Sequence, residues 1–480
     1  MVFPIVGGDG KPTGYEVENS LRFNTADDAF MQRTFTAGTR TKFTISCWVK
    51  RGNLSGNPNN DPHRIIDAFK DQNNVSNFFF ETDDTLRFFH KSAATTYANV
   101  VTNRLFRDPS AWYHLVCAVD TTQSTESNRI KFYVNGVQET SFSTYSVLEN
   151  LATFFNDNTR ICTVGAKDSS SVEKDHFDGY MADFYYVDNQ QYDQTYFGET
   201  NDNGVWIPVE KGKGAGGNLT FGTNGFFLEF QQTGTSANSS GMGADTSGND
   251  LHLTPNNLAA IDVTTDTPTN NFCTLSSVDN DGFVLSNGNL DFDSSSGSDE
   301  GVRSTIGVLA GKWYYECKIT GGSGVGLSAG NVGYSQSTMK LVNNPRGGQC
   351  IVMNGSSSIN FYNFSSSAVV LDASSGVGQN DIVGVALDLD SGTKTIQFYK
   401  NGSTIGSAQT IASGLLQGDF FIPSMFDDGG VNDVIGSFNF GQPTFSISSG
   451  NADANGYGNF EYAPPSGYYS LCTKNLAEFG

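Results

Sequence analysis

Apolar and aromatic residues in this chain recur at every second position, in short runs such as Phe43-Thr44-Ile45-Ser46-Cys47-Trp48-Val49. Few stretches carry them at the three- and four-residue spacing of a helix. A side-chain period of two belongs to a β-strand with one face against a core. Gly, Ser, Thr and Asn fill much of the remainder while charged residues make up only 16%, a mix that favours short strands and many turns. The expected fold class is all-β. At 480 residues the chain exceeds what one hydrophobic core supports, so two or three units are expected.

Turn chemistry divides the chain. Residues 1–19 hold Gly7-Gly8-Asp9-Gly10 and Lys11-Pro12-Thr13-Gly14 and read as an extended arm. Its apolar Val2, Phe3, Ile5 and Val6 would stay exposed unless docked on another subunit or protein. Residues 20–200 carry strand-like runs separated by polar clusters and form a first sandwich. Residues 201–272 shift to small residues around the single strand Phe226–Phe230 and read as a bridging segment, only partly ordered by itself. The strand pattern resumes over 273–446 as a second sandwich, and a Gly- and aromatic-rich tail, 447–480, closes the chain. An internal echo links the sandwiches: Trp112–Asp120 leads into Ile130–Gly136 as Asp381–Asp390 leads into Ile396–Gly402. Both second strands end in Asn-Gly, suited to a tight hairpin.

A formal net charge of -22, with Lys and Arg scattered, argues against nucleic acid as a partner. No apolar run approaches the roughly 20 residues of a membrane span, and Met1–Gly8 lacks the pattern of a signal peptide. The seven cysteines sit singly in strand-like contexts, without zinc-type pairs, and are expected to be buried free thiols made in a reducing cell. A Cys47–Cys117 disulfide is the minor alternative.

The ordered motifs Phe43–Lys50, Trp112-Tyr113-His114, Phe132–Gly136 and Phe177–Phe184 resemble those of laminin-G-like, concanavalin-like jelly rolls. Gly311–Glu316, Asp381–Asp388, Phe398–Gly402 and Phe438–Gln442 resemble a SPRY domain. The resemblance implies two tandem antiparallel jelly-roll β-sandwiches, concanavalin-like then SPRY-like. With the joining phrases Gly204–Pro208 and Asp266–Phe272, the pairing resembles structural proteins of marine tailed phages, especially those of cyanobacteria and related hosts. That implies a virion-surface protein made in the host cytoplasm, such as a tail fibre or head fibre. It would adhere to a host-surface glycan or protein, or contact other virion proteins, with a homo-oligomer as the expected assembly. Capsid decoration without receptor binding and glycan depolymerisation are the rival readings.

Chemistry leaves few marks. The five histidines sit in no catalytic motif, and His114, alternating with apolar neighbours, reads as structural. The paired-carboxylate strand of concanavalin-like glycosidases is absent. Asp83-Asp84 is the nearest acidic pair, and adjacent strand positions face opposite ways, so it reads as a solvated turn. A non-enzyme without cofactor is expected. Laminin-G-like domains bind calcium at a loop rim, which makes Asp175 with Asp178, and the acidic loop of Asp427, Asp428 and Asn432, the candidate calcium ligands; such clusters are more often plain solvated loops. Tyr334, Tyr362 and the Tyr457–Tyr469 group fall among small residues and are candidates for stacking on a sugar or a subunit.

Overall fold

The computed structural model describes residues 14–54, 61–167, 175–294, 299–321, 329–336, 350–355, 359–363, 368–372, 376–411, 421–428 and 434–480. It divides into two compact units, one spanning Pro12–Thr269 and one running from Asn270 to Gly480.

The N-terminal unit contains β1 (Ser20–Phe23), β2 (Phe30–Thr34), β3 (Lys42–Arg51), β4 (His63–Asp71), β5 (Asn74–Phe80), β6 (Thr85–Ser92), β7 (Thr95–Leu105), β8 (Trp112–Asp120) and β9 (Ile130–Val134). It continues with β10 (Val137–Gln138), β11 (Phe142–Val147), β12 (Ile161–Val164), β13 (Gly179–Asp188), β14 (Gly198–Thr200), β15 (Trp206–Pro208), β16 (Phe226–Leu228), β17 (Thr254–Asn256) and β18 (Val263–Thr264). One sheet runs β10-β9-β8-β3-β13-β1-β18, with β16 also on β13; the other runs β11-β7-β6-β5-β4-β12-β2-β17. The pairings are antiparallel, as between β3 and β8 or β5 and β6. Alternation along β3 sends Phe43, Ile45, Cys47 and Val49 into the core, where they meet Phe78, Phe80, Leu86 and Phe88 of the facing sheet.

Strands β3 and β13 are nonetheless buried along both faces. The cause is the segment expected to be a bridge. Phe197, Phe221 and Phe227 cover Val116, Ala118, Tyr185 and Val187 on the outer face of the first sheet, while β16, β17 and β18 join the sheets themselves. Residues 192–269, the end of the expected first sandwich and most of the expected bridge, thus supply a third layer together with strands that extend the two sheets, and are not a partly ordered link. Its glycines serve close approach rather than freedom: a Cβ at Gly214 would lie 2.4 Å from the Thr195 carbonyl oxygen, and one at Gly216 2.3 Å from the Tyr196 ring. The end of the expected arm is docked too. Val17 packs with Trp48, Trp112 and Tyr180, and its backbone N–H donates to Thr269 Oγ1 at 3.1 Å. Val2, Phe3, Ile5 and Val6 lie outside the described residues.

In the C-terminal unit a seven-stranded sheet has the order Leu275–Asp281, Asp299–Ser304, Phe421–Asp428, Ala329–Gln336, Cys350–Gly355, Ile359–Asn363, Ala368–Asp372. The second sheet runs Val284–Ser286, Asp291–Asp293, Ile435–Asn439, Lys312–Gly321, Ile382–Asp388, Thr395–Lys400, Ser403–Thr410. Its core gathers Trp313, Tyr315, Cys317, Val385, Leu387, Phe398 and Phe438. The expected tail belongs to this unit. Tyr469–Ser470 pairs in parallel with Trp313 and Tyr314, Leu471 enters the core, and helix α1 (Thr473–Phe479) follows. The buried Glu316 carboxylate anchors the segment, accepting from the backbone N–H groups of Glu461 at 3.0 Å and Tyr462 at 2.8 Å. The Tyr457–Tyr469 group therefore packs on its own unit, half-buried, with Tyr469 stacked on Phe479 at 3.8 Å.

Both predicted Asn-Gly turns form, with left-handed φ of 47° and 79° at Asn135 and Gly136 and of 51° and 79° at Asn401 and Gly402. Each Asn also clasps the preceding strand. Asn135 exchanges two hydrogen bonds with the His114 backbone (2.9 and 2.7 Å), and Asn401 does the same with Ile382 (both 2.9 Å). An aromatic ring closes over each glycine, Trp206 on Gly136 and Tyr462 on Gly402. The echo read in the sequence is one structural device used twice.

The described cysteines 47, 117, 162, 273, 317 and 472 are free and buried. Cys47 faces Leu115 and Cys117 faces Ile45, so the two thiols lie off register. Among the described residues no helix is long and apolar enough to cross a membrane.

Candidate functional site

The outer face of β4, β5 and β6 carries a cleft of about 270 Å3. Register builds it in rows. Arg64, Phe79 and Arg87 are directly opposite one another across the three strands; Asp67, Asn77 and Phe89 form the next row, and Phe69, Val75 and Lys91 the third. Because residues facing one another share a side of the sheet, the first row sets a ring between two cations on this face, and Phe89 and Lys91 stand beside it in the next two rows. The Arg64 guanidinium sits 3.9 Å from the Phe79 ring centroid and that of Arg87 4.4 Å from the Phe89 centroid, both within cation–π range.

The cations are held unequally. Arg64 Nε donates to Asp175 Oδ2 at 2.9 Å, its Nη2 makes a second bond to the same oxygen, and Lys167 Nζ stands 3.6 Å from it. Arg87 Nε donates to Asn99 Oδ1 at 2.8 Å while its Nη1 bonds Glu81. Lys91 makes no ion pair among the described residues. Below, Asn77 Nδ2 donates to Asp67 Oδ2 at 3.2 Å. Three buried atoms here keep no hydrogen-bond partner among the described residues: Arg64 Nη1, Asp67 Oδ1 and Asn77 Oδ1. Such groups are uncommon in protein interiors and cost about 1–3 kcal/mol each. Burial pushes the Asp67 carboxyl up to about 7, against the opposing pull of Arg64.

The acids read as calcium candidates lie in two places. Asp175 is spent on Arg64, whereas Asp178 Oδ1 accepts from the Asn53 backbone N–H at 3.2 Å. Asp427 and Asp428 are the last residues of the strand Phe421–Asp428, opposite Glu300 and Asp299; Asn432 lies outside the described residues. No group of three or more metal-type ligands gathers among the described residues. Tyr334 pairs with Ile351 and Tyr362 with Val352, adjacent rows of one sheet, so the register does not bring the two tyrosines into one row.

Asp84 is not a solvated turn residue. It is buried, adopts φ 68°, and accepts from Arg51 Nη1 at 2.9 Å and Arg107 Nε at 2.7 Å. The pull of two guanidiniums on one carboxylate brings it inward. His114 is structural: Trp206 Nε1 donates to its Nδ1 at 3.0 Å, which leaves Nε2 to donate to Ser46 Oγ at 2.9 Å. With burial driving its pKa down to about 3, this ring cannot take the Ser46 proton.

Buried acids and histidines set opposing pH responses. Burial raises Asp67 to about 7, Asp178 to about 6 and Asp183 to about 8, above an unfolded value of about 3.9. The folded unit thus holds protons the unfolded chain has lost, and this cost to stability is full above pH 8 and fades as pH falls. His63, His90 (about 4) and His114 (about 3) are lowered by burial below an unfolded value of about 6.5, so their cost begins only below pH 6.5. Stability of the N-terminal unit is expected to rise by about 1–3 kcal/mol from pH 8.5 to 6.5, level off to about 4.5, then fall. Urea midpoints read by fluorescence in Trp313→Phe, whose remaining tryptophans 48, 112 and 206 are all in this unit, check this; a monotonic rise to pH 8.5 contradicts it.

The cleft escaped sequence reasoning. Its local signal was the set Arg87, Phe89 and Lys91 on the outward positions of β6, where Ser or Thr would suit a plain solvated face.

No curated protein sequence matches the chain. Among solved structures, the SPRY domain of human HERC1 is similar at 18% identity and TM-score 0.29, over 34% of this chain and 96% of that one. A heptameric SAP-like pentraxin from Limulus polyphemus is similar at 12% identity and TM-score 0.26, over 37% and 80%. Tailspike protein 2 of Escherichia coli O157:H7 bacteriophage CAB120 is similar at 14% identity and TM-score 0.25, over 39% and 28%. Residues 24–190 match a laminin-G family model described as the concanavalin A-like lectin/glucanases superfamily. Its two facing antiparallel sheets make the N-terminal unit a β-sandwich, within which residues 24–190 are similar to that family.

Proposed function

We propose that this chain is a non-catalytic protein of a phage particle's surface that adheres to host-surface glycan through the cleft on β4–β6. The observation that carries the reading is the contrast between the faces of the N-terminal sandwich: one is covered by residues 192–269 with Tyr15 and Val17, and the other opens a cleft lined by four cations, two phenylalanine rings, the amides of Gln72 and Asn77 and the carboxylate of Glu81. In a chain of net charge -22, such a concentration of Arg64, Arg87, Lys91 and Lys167 suits recognition rather than solubility. Glycan cleavage needs one carboxylate free to give a proton and another facing the sugar. Here Glu81 and Asp175 are ion-paired and Asp67 is buried beneath the floor. The phage assignment rests on the resemblance of the joined modules. Attachment to other virion proteins falls to the segment bearing Val2, Phe3, Ile5 and Val6.

Labelled protein is expected to sediment with cells of a marine cyanobacterial host and with polysaccharide extracted from them, without releasing reducing sugar. Sedimentation with neither would overturn adhesion and favour capsid decoration. Sugar release abolished by Glu81→Gln or Asp67→Asn would overturn the non-catalytic reading.

A further inference from the structure

The unsatisfied atoms of the cleft define the ligand more narrowly than its shape does. Among the described residues Arg64 Nη1 is a donor lacking an acceptor, and Asn77 Oδ1 an acceptor lacking a donor. Both residues line the cleft and are more than nine-tenths buried. A carboxylate or sulfate can only accept, and so would satisfy the arginine and repel the amide oxygen. A hydroxyl group accepts and donates at once and can serve both. Nearer the rim stand Lys91, without an ion pair among the described residues, and Arg87, whose carboxylate partner Glu81 is itself part-exposed. A strongly hydrated ammonium without a partner favours an anion.

We infer that the cleft binds an acidic saccharide of the uronate class, one sugar hydroxyl meeting Arg64 and Asn77 at the floor and a sugar carboxylate meeting Lys91 at the rim. This rests on the glycan-adhesion reading and adds charge selectivity to it. An acidic peptide could offer the carboxylate, but its backbone N–H and C=O point in opposite directions and, without a hydroxyl-bearing side chain, no single atom of it donates and accepts at the floor. A neutral glucan offers hydroxyls but leaves Lys91 unanswered. Because Lys91 lies at the rim, its interaction is open to screening by salt.

The full-length protein is titrated with oligomers of polygalacturonate, alginate and hyaluronate, with neutral dextran and pullulan oligomers, and with poly-glutamate. Binding of at least one uronate is expected, at least tenfold tighter than either neutral glucan and weakened by salt. Lys91→Ala should weaken it about tenfold, the worth of one charge-assisted hydrogen bond, without shifting the melting temperature. Lys91→Arg should largely restore it. Equal binding of neutral glucans, unchanged in Lys91→Ala, would overturn the acidic preference while leaving glycan adhesion standing. Binding of none of the five saccharides would overturn both. Poly-glutamate binding as tightly as the uronates would overturn the role of the hydroxyl at the floor.

Discussion

Asp266→Ala is expected to destabilise the N-terminal unit by about 3–5 kcal/mol, because it takes the carboxylate from a buried cation that has no route to water. Lys50 and Asp266 are both essentially inaccessible, and Lys50 Nζ meets Asp266 Oδ2 at 2.8 Å. The other carboxylate oxygen accepts from Trp112 Nε1 at 3.1 Å. One buried carboxylate thus compensates an ammonium on β3 and satisfies an indole on β8, tying the last stretch of the third layer to the sheet beneath. In a unit of this size the loss corresponds to a fall in melting temperature of about 6–20 °C. The double variant Lys50→Met with Asp266→Ala removes the buried charge and should recover much of the loss, since buried ion pairs add little over a well-packed apolar replacement. Thermal melts of the two variants decide it. A single-variant loss below about 1 kcal/mol would mean that water reaches the pair.

What could be read ahead of the structure was what local chemistry dictates. The period-two run Phe43–Val49 places its own residues on two faces whatever its partners are, and Asn135-Gly136 and Asn401-Gly402 adopt left-handed φ because those residue types tolerate it. The third layer was hidden because a Gly-rich composition is shared by flexible linkers and by backbone pressed against a ring. Only the approach of Gly216 to Tyr196 separates the two. Asp84 was misjudged for a related reason: its partners, Arg51 and Arg107, are 33 and 23 residues away in sequence, and nothing beside it announces them. The cleft failed hardest. Its rows exist only once β4, β5 and β6 are in register, so Arg64, Phe79 and Arg87 carry no shared signal until the sheet assembles. The tyrosines and acids singled out from the sequence stood out by the company of small or acidic neighbours, a local property that carries no information on register.

Trp313→Ala is expected to destabilise the C-terminal unit by about 3–5 kcal/mol, the range for deleting a fully buried large aromatic residue. The indole is wholly inaccessible, its Nε1 donates to the Ala310 carbonyl at 2.6 Å, and its backbone lies between Leu387 on one side and Tyr469 on the other. Gly311 is shaped to it, since a Cβ there would fall 2.6 Å from the ring. A cavity at this point undercuts the closing segment, which depends on the same strand: Tyr469 stacks on Phe479, and Leu471 shares the core with Trp313. Amide exchange over Thr473–Phe479 should therefore accelerate before the sheet itself melts. The clusters around Phe43 and around Trp313 have no residue in common, so the calorimetric transition of the N-terminal unit should keep its midpoint while the other falls. A concerted shift of both transitions would show instead that the two cores unfold as one cooperative body.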